Sequence, residues 1–89
     1  MIIEFDKSFE KSLIKVKEKA LFNKIESLIE TIEKAEKISE IKNVKKLTGF
    51  KNYYRIRIGD FRLGFEKIND NTIRFITVAR RKDIYSIFP

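Results

Sequence analysis

The second half of the chain places arginines at a spacing that could bind a phosphate. Arg55 and Arg57 lie two residues apart in a stretch where polar and apolar side chains alternate, which predicts a β-strand with one buried face. Gly59-Asp60 predicts a tight turn, after which Arg62 should return to the same face of the sheet. A guanidinium group binds two phosphate oxygens at once, and three of them close together repel one another unless an anion neutralises them. The pattern therefore indicates an anion-binding arginine face.

Aromatic residues near this face could stack on nucleobases, as the recognition of single-stranded RNA requires. Tyr85 is the first candidate, followed by Tyr53 and Phe88. The alternative is that the arginines are ordinary surface residues and that the aromatic residues belong to the core. That alternative is preferred for Arg74, whereas the three arginines of the predicted face together favour a binding function.

The charge of the chain is segregated along its length. The net charge is +7, yet residues 1–38 contain eight Lys, no Arg and eight acidic residues and are neutral overall. Residues 39–89 contain six Lys and six Arg against five acidic residues, so they hold the whole excess of +7. A basic field confined to one part of a protein indicates a polyanionic partner such as nucleic acid. An evenly spread +7 would instead indicate a solubility surface.

The composition excludes several kinds of active site. The chain has no Cys and no His, so disulfides, thiolate or imidazole metal sites and Ser-His or Cys-His pairs cannot be built. The three glycines are scattered and form no phosphate-binding loop. Asp60, Asp70 and Asp83 fall in predicted turns or in the tail, and we do not expect them to hold Mg²⁺. We expect Asp60 to serve its turn, Asp83 to pair with an arginine, and neither a metal nor a cofactor to be needed.

A strand and two helices come first among the elements that would position these residues. The strand is the apolar start of the chain, Ile2 to Phe5, and either Asp6 or Ser8 should cap the first helix. Apolar residues then recur at i, i+4 and i+7 as Phe9, Leu13 and Val16. After a break at residues 17–19, the second helix has an apolar stripe made of Leu21, Ile25, Leu28, Ile29, Ile32 and Ala35. We expect the two helices to form an antiparallel hairpin.

Three further strands follow, the first two joined by the Gly59-Asp60 turn. Asn69-Asp70-Asn71 forms the next turn, and the stretch from Thr72 to Ala79 is apolar on both sides, as in a strand inside a sheet. The predicted fold is α+β: an N-terminal strand and a two-helix hairpin packed on a small, mostly antiparallel sheet. The order is β-α-α-β-β-β within a single domain, residues 1–89, and the partner of the first strand is left open. No apolar run reaches the roughly 18 residues of a membrane span, so we expect no membrane contact. The absence of cysteine fits a reducing environment, so we expect a cytoplasmic location.

Three motifs, taken in this order, resemble the RelE/ParE family of toxin–antitoxin proteins. They are KLTG at 46–49, YRIRIGDFRL at 54–63 and VARRKDIY at 78–85. The two preceding helices fit the family as well, so the resemblance covers nearly the whole chain. It implies a small toxin that a cognate antitoxin protein neutralises. It also implies that RelE-type members enter the ribosomal A site and cleave mRNA there, with the RNA's own 2′-OH as the attacking group and without a metal.

The resemblance also implies roles for individual residues. By position, Arg55 and Arg57 correspond to a basic pair on the scissile phosphate. Arg62 and Arg81 correspond to residues that stabilise the charge developing on the phosphate, and Tyr85 to a tyrosine that stacks on or orients the substrate. These five form the predicted catalytic set. The predicted additional RNA contacts are Lys46, Lys51, Arg80 and Lys82.

One departure from the family pattern affects the expected mechanism. The best-known RelE pattern has lysines at the positions of Arg55 and Arg57, whereas arginine stays protonated and donates protons poorly. Catalysis here should therefore depend on electrostatic stabilisation and on in-line positioning of the 2′-OH. The candidates for moving protons are Lys46, Lys51 and Tyr85.

Two other functions fit the same fold. A ParE-like toxin would bind DNA gyrase without catalysing a reaction, and a basic module would bind RNA or the ribosome without any activity. ParE-type chains usually lack the full predicted catalytic set. Its presence here favours the ribosome-dependent mRNA endonuclease.

Overall fold

A five-stranded mixed sheet lies at the centre of the structure, a computed structural model that describes residues 1–89. In chain order the elements are β1 (Ile2–Phe5), α1 (Lys7–Val16), α2 (Lys19–Lys34), a short 3₁₀ helix (Ile38–Glu40), β2 (Val44–Lys46), β3 (Tyr53–Ile58), β4 (Phe61–Asn69), β5 (Thr72–Arg80) and α3 (Arg81–Ile87). Across the sheet the strands are arranged β1-β5-β4-β3-β2. The pairs from β2 to β5 are antiparallel, whereas β1 is parallel to β5. No helix is long and apolar enough to cross a membrane.

The position of β5 explains its apolar sequence. It lies between β1 and β4, so both of its edges are paired, and each of its two faces packs against an apolar cluster. Ile73, Phe75 and Val78 belong to the main hydrophobic core, whereas Ile76 and Ala79 pack against a smaller cluster. The prediction of an internal strand is confirmed, and the parallel pairing of β1 with β5 supplies the partner that the sequence left open.

The first helix begins and ends as local sequence rules require. The Asp6 carboxylate accepts hydrogen bonds from the backbone N–H of Ser8 at 3.0 Å and from its hydroxyl at 2.5 Å, which satisfies a free donor of the first turn. These bonds lower the pKa of Asp6. The helix ends at Lys17, which has a positive φ of 53°, and α2 begins two residues later. The predicted cap and the predicted break are both confirmed.

Helices α1 and α2 cover the same face of the sheet. Phe9 from α1 and three residues from α2, Leu21, Ile25 and Ile32, are buried in one core. Strands β3 and β4 contribute alternate residues to this core, and β5 contributes residues on either side of a register shift. The core residues of the three strands are Ile56, Ile58, Phe61, Leu63, Phe65, Ile73, Phe75 and Val78. The amphipathic stripe of α2 and the period of two in β3 and β4 therefore have a common cause, the burial of one side of each element. This confirms the predicted α+β architecture.

The structure adds two elements that the sequence did not predict, β2 and α3. β2 has three residues, Val44–Lys46, which is too short to show an alternating pattern. α3 has seven residues, fewer than two full turns, so no helical period can be recognised in it. The sequence therefore predicts only an irregular tail after Arg80, whereas residues Arg81–Ile87 form a helix packed on the sheet.

The second face of the sheet, which contains the arginines, is not wholly exposed. Leu47, Ile84 and Phe88 form a small buried cluster there, with α3 lying on β4 and β5. The Phe88 ring lies directly over Gly64, where a Cβ atom would come within 2.6 Å of it. Phe88 is only 4% exposed and Tyr53 packs against it edge-on, so Phe88 cannot stack on a base as considered from the sequence. The arginines thus share this face with a small apolar cluster.

Candidate functional site

A cleft of about 320 Å³ lies on the sheet face that α1 and α2 leave uncovered. Its lining residues are Asn43, Val44, Lys45, Arg55, Arg57, Arg62, Arg81 and Tyr85. We call it the arginine cleft. All five members of the predicted catalytic set are among its lining residues, so the structure brings together side chains from β3, β4 and α3.

The pairing of β3 with β4 places the sheet arginines next to one another. Arg57 lies directly across from Arg62, and Arg55 lies across from Gly64. Directly opposed residues of an antiparallel pair share a face, with Cβ atoms about 4.5–5.5 Å apart. Arg62 therefore joins Arg55 and Arg57 on one face of the sheet, as the sequence predicted.

The arginines of the cleft have no acidic partner. None of the ion pairs in the structure includes Arg55, Arg57, Arg62 or Arg81. Arg62 Nη1 donates to the carbonyl oxygens of Gly59 and Phe61, both at 2.9 Å, and Arg57 Nη2 donates to Asn43 Oδ1 at 3.4 Å. These bonds orient the guanidinium groups without neutralising them. Four uncompensated positive charges around one cleft form a site suited to an anion.

Helix α3 supplies the two remaining residues of the predicted set. Arg81 and Tyr85 are four residues apart and therefore lie one turn apart on the same side of the helix. The backbone N–H of Arg81 donates to the carbonyl oxygen of Asp60 at 2.9 Å, which fixes the start of α3 beside the β3–β4 turn. The Arg55 guanidinium lies over the Tyr85 ring, with Cζ 4.6 Å from the ring centroid. This cation–π contact joins β3 to α3 across the cleft.

The surrounding arginines lower the pKa of the Tyr85 hydroxyl. The neighbouring Arg81 guanidinium is the largest cause, and the charges of Arg55 and Arg62 act in the same direction. Partial loss of hydration opposes the shift without cancelling it. The phenolate form is therefore more accessible at Tyr85 than in an ordinary tyrosine.

Two of the predicted RNA contacts, Arg80 and Lys82, lie beside the arginine cleft in an adjoining depression that Arg81 also lines. Arg80 is held by two carboxylates: Nη1 lies 2.8 Å from Asp60 Oδ2, and Nη2 lies 2.9 Å from Glu18 Oε2. The charge of Arg80 is thus balanced within the protein, unlike the charges of the cleft arginines. Its ion pairs tie the α1–α2 connection to the β3–β4 turn.

The other two predicted RNA contacts, Lys46 and Lys51, are not brought into the cleft. Lys46 lies across from Tyr54 in the β2–β3 pair, so its side chain belongs to the opposite sheet face from that of Arg55. Lys46 and Lys51 instead line a separate depression beside Phe50. Their contact with RNA stays a prediction, and it concerns a surface outside the arginine cleft.

Two polar residues of the cleft were missed in the sequence. Lys45 lies directly across from Arg55 in the β2–β3 pair and shares its face. Asn43 immediately precedes β2, has a positive φ of 63°, and accepts the hydrogen bond from Arg57. Both residues belong to the segment whose strand was not recognised. The signal that could have found Lys45 is the register of this short strand against β3.

The remaining charged residues considered in the sequence lie outside the cleft. Arg74 donates to the Glu4 carboxylate from Nε at 3.0 Å and from Nη2 at 2.8 Å. These bonds raise the pKa of Arg74. They agree with the structural role that the sequence favoured for this residue.

Two aspartates considered in the sequence also lie outside the cleft. Asp60 forms the predicted turn. Asp83 forms no ion pair, so its predicted pairing with an arginine was wrong. Asp83 lies in the first turn of α3, where the helix dipole stabilises a carboxylate instead.

Comparison with known proteins relates the whole chain to one family. The family model described as "ParE toxin of type II toxin-antitoxin system, parDE" matches residues 3–85. Toxin RelE3 of Methanocaldococcus jannaschii is 39% identical over 90 residues, which cover all of both chains. A chain in the crystal structure of the RelB-RelE antitoxin-toxin complex from Methanococcus jannaschii is 37% identical, with a TM-score of 0.80 over 97% of this chain and 99% of that one.

A more distant match agrees in fold. A chain of the archaeal RelE-RelB complex from Pyrococcus horikoshii has a TM-score of 0.70 at 24% identity, over 90% of this chain and 93% of that one. The fold and the cleft together define a small basic α+β protein with an arginine-lined cleft on its sheet. The chain belongs to the RelE/ParE family of type II toxin–antitoxin toxins. The family resemblance inferred from the three motifs is therefore confirmed.

Proposed function

We propose that this toxin is a ribosome-dependent mRNA endonuclease that cleaves without a metal. The observation that supports this best is the arginine cleft, in which four guanidinium groups without acidic partners surround a tyrosine of lowered pKa. Such a site suits a reaction in which negative charge develops on phosphate oxygens. The 39% identity to a protein named Toxin RelE3 makes a RelE-type activity the first candidate.

In the proposed reaction the 2′-OH of the RNA attacks the adjacent phosphorus atom, and the bond from phosphorus to the 5′-oxygen breaks. Arg55 and Arg57 bind the phosphate, while Arg62 and Arg81 stabilise the charge that grows on its oxygens. Because a guanidinium stays protonated, these four residues act by charge and hydrogen bonding rather than by proton transfer. Loss of one such donor at an oxyanion costs an enzyme roughly 10²–10³ in kcat.

Tyr85 is the residue of the predicted set that can take the proton from the attacking 2′-OH. Its lowered pKa raises the phenolate fraction near neutral pH, and the hydroxyl lies beside Arg81 in the cleft. A base acting in this way contributes roughly 10²–10⁴ to the rate. The exposed face of its ring can also stack on a base, so the residue combines two roles.

We further propose that a cognate antitoxin protein neutralises this toxin in the cytoplasm, where ribosomes and mRNA are found. The matched structures from Methanococcus jannaschii and Pyrococcus horikoshii are complexes of RelE with RelB. The excess charge of +7 and the unpaired cleft arginines would attract an acidic segment of such a partner. An acidic segment lying over the cleft would exclude RNA from it.

The test is an assay with translating ribosomes and an mRNA of defined sequence, in which the 5′ ends of the products are mapped. Wild type should cleave within the A-site codon, and Arg81→Ala should slow cleavage by roughly 10²–10³. Lys34→Ala removes a positive charge from an exposed position on α2, which packs on the sheet face opposite the cleft, and it should cleave like wild type.

A second candidate, inhibition of DNA gyrase without catalysis, is favoured by the description of the matching family model as a ParE toxin. A gyrase supercoiling assay run with the same protein separates the two. Gyrase inhibition without any mRNA cleavage would overturn the endonuclease proposal. RNA binding with neither activity would leave only a basic binding module. Cleavage that Arg81→Ala does not slow would keep the reaction and reject the proposed site.

A further inference from the structure

We infer that Lys45 is a further catalytic residue, the acid that protonates the departing 5′-oxygen. This inference rests on the proposed endonuclease function and assigns a step that the predicted catalytic set leaves without a donor. The four arginines of the cleft retain their protons, and Tyr85 is assigned to the opposite task of accepting one. A group outside the five residues of the predicted catalytic set is therefore needed to donate a proton to the leaving oxygen.

The register of the sheet places Lys45 in the cleft. β2 is an edge strand paired with β3, and Lys45 lies directly across from Arg55 in that pair. Directly opposed residues share a face, so the side chain of Lys45 belongs to the arginine face. Its neighbours Val44 and Lys46 lie across from Ile56 and Tyr54, which belong to the helix-covered side of β3.

Lys45 also lies at the boundary between the arginine cleft and a neighbouring depression. Three residues line both the arginine cleft and an adjoining depression: Lys45, Arg55 and Tyr85. An RNA strand that passes from one to the other must cross these three side chains. The leaving nucleotide can thus be adjacent to Lys45 while the phosphate is held by the arginines.

The chemistry of the cleft singles out this side chain. Among the eight lining residues Lys45 is the one ammonium group, and it forms no ion pair with a carboxylate. An ammonium group can release a proton to an alkoxide, whereas a guanidinium does so poorly. Lys45 is also exposed, so its proton can be restored from water after each turnover.

The step balances without a further reagent. The 2′-oxygen forms a bond to phosphorus as its proton passes to the Tyr85 phenolate. The bond from phosphorus to the 5′-oxygen breaks, and that oxygen takes a proton from the Lys45 ammonium group. The products are a 2′,3′-cyclic phosphate and a 5′-hydroxyl. Tyr85 then loses its proton to water, and Lys45 regains one.

The experiment compares two mRNAs that differ in one atom at the mapped cleavage position. The first has the natural 5′-oxygen, and the second has sulfur there, which leaves as a thiolate and needs no proton. Lys45→Arg keeps the positive charge but is a poor acid. On the oxygen substrate it should slow single-turnover cleavage by roughly 10²–10⁴ relative to wild type. On the sulfur substrate it should cleave within a few-fold of wild type.

A matched control is Lys42→Arg, the same substitution three residues earlier, at an exposed position that does not line the cleft. It should behave like wild type on both substrates. Equal slowing of Lys45→Arg on both substrates would show that Lys45 holds the RNA and is not the acid. Unchanged cleavage of the oxygen substrate would also overturn the inference. A wild type that cleaves neither substrate would reject the endonuclease proposal and, with it, the role of Lys45.

Discussion

At the scale of single residues, the proposed mechanism assigns charge stabilisation and proton transfer to different side chains of the arginine cleft. The guanidinium groups of Arg57 and Arg62 are held by bonds to amide or carbonyl oxygens, and none of the four cleft arginines forms an ion pair, so their full charge faces the cleft. The charge has a second effect, because it lowers the pKa of Tyr85. In the proposed mechanism, the arginines assigned to the phosphate therefore also favour the phenolate form of Tyr85, the proposed base.

The pH dependence of cleavage tests whether Tyr85 is that base. The rate of wild type should rise with pH by up to tenfold per unit and level off above the lowered pKa of Tyr85, because only the phenolate accepts the proton. Tyr85→Phe should lose this rise and be slower by roughly 10²–10⁴ on its plateau. Single-turnover rates measured across the pH range in which the ribosome stays intact provide the measurement.

The same variant separates the two roles of Tyr85. Phenylalanine keeps an aromatic face for stacking but has no hydroxyl, so a residue that only stacks would tolerate the change. A wild-type rate and pH profile for Tyr85→Phe, with a large loss for Tyr85→Ala, would assign stacking alone. Both variants should fold normally, since the Tyr85 side chain is 60% exposed.

At the scale of elements, the cleft depends on how α3 is fixed to the sheet. The helix contributes Ile84 to a buried cluster that also contains Leu47, and Phe88 follows directly after the helix. Phe88 covers Gly64 of β4, where the absence of a side chain allows the ring to approach the backbone. This small apolar contact fixes α3 on the sheet and thereby determines the positions of Arg81 and Tyr85.

Gly64→Ala should loosen this attachment. The added Cβ would lie 2.6–2.7 Å from three atoms of the Phe88 ring, and because the ring is buried the whole side chain must move. Overpacking of this kind costs about 1–3 kcal/mol in the free energy of unfolding. Displacement of α3 should also lower the cleavage rate by at least tenfold, since small misplacements of catalytic groups are costly. Urea unfolding and single-turnover cleavage measure the two effects.

A second substitution shows whether the loss arises from the ring. Phe88→Leu removes the ring atoms that face Gly64, and the double variant should be more stable than the sum of the two single changes predicts. If the stability losses of the two single variants simply add in the double variant, Gly64→Ala does not destabilise the protein through the Phe88 ring. Full activity of Gly64→Ala, despite its lower stability, would indicate that α3 keeps its place without this contact.

Sequence periodicity accounts for most of the elements and for the core. β3 and β4 alternate because one face is buried, and α2 has a stripe for the same reason, so both could be predicted. β2 and α3 have three and seven residues, and tertiary packing rather than local pattern determines them. The antiparallel register of the β3–β4 hairpin is local, whereas the pairing of β1 with β5 joins distant parts of the chain.

In the candidate site, too, local pattern locates some residues and long-range packing locates the others. Arg55, Arg57 and Arg62 could be placed on one face from a hairpin of known turn length. Lys45 could not, because its strand was not recognised, and the balancing of Arg80 by Glu18 depends on a contact across 62 residues. Residues whose positions depend on long-range packing are those that the sequence alone does not locate.

At the scale of the whole molecule, the segregation of charge along the chain becomes a segregation in space. The neutral half forms β1, α1 and α2, whereas the basic half forms the rest of the sheet and α3. Since the arginines of the cleft face one another without carboxylates, their repulsion opposes the folded state. A bound anion should relieve this repulsion, which makes the stability of the molecule depend on the anions in solution.

Thermal unfolding in sulfate and in chloride at equal ionic strength tests this dependence. Sulfate at ten times its dissociation constant should stabilise the fold by about 1.4 kcal/mol, or roughly 6–11 °C in Tm, because it binds only the folded cleft. Sulfate also stabilises proteins by being excluded from their surface, so the comparison needs variants. Arg57→Ala removes a cleft charge and should shrink the sulfate–chloride difference. Arg74→Ala, at an arginine already paired with Glu4, should keep it. Equal differences in wild type and both variants would mean that the cleft binds no sulfate.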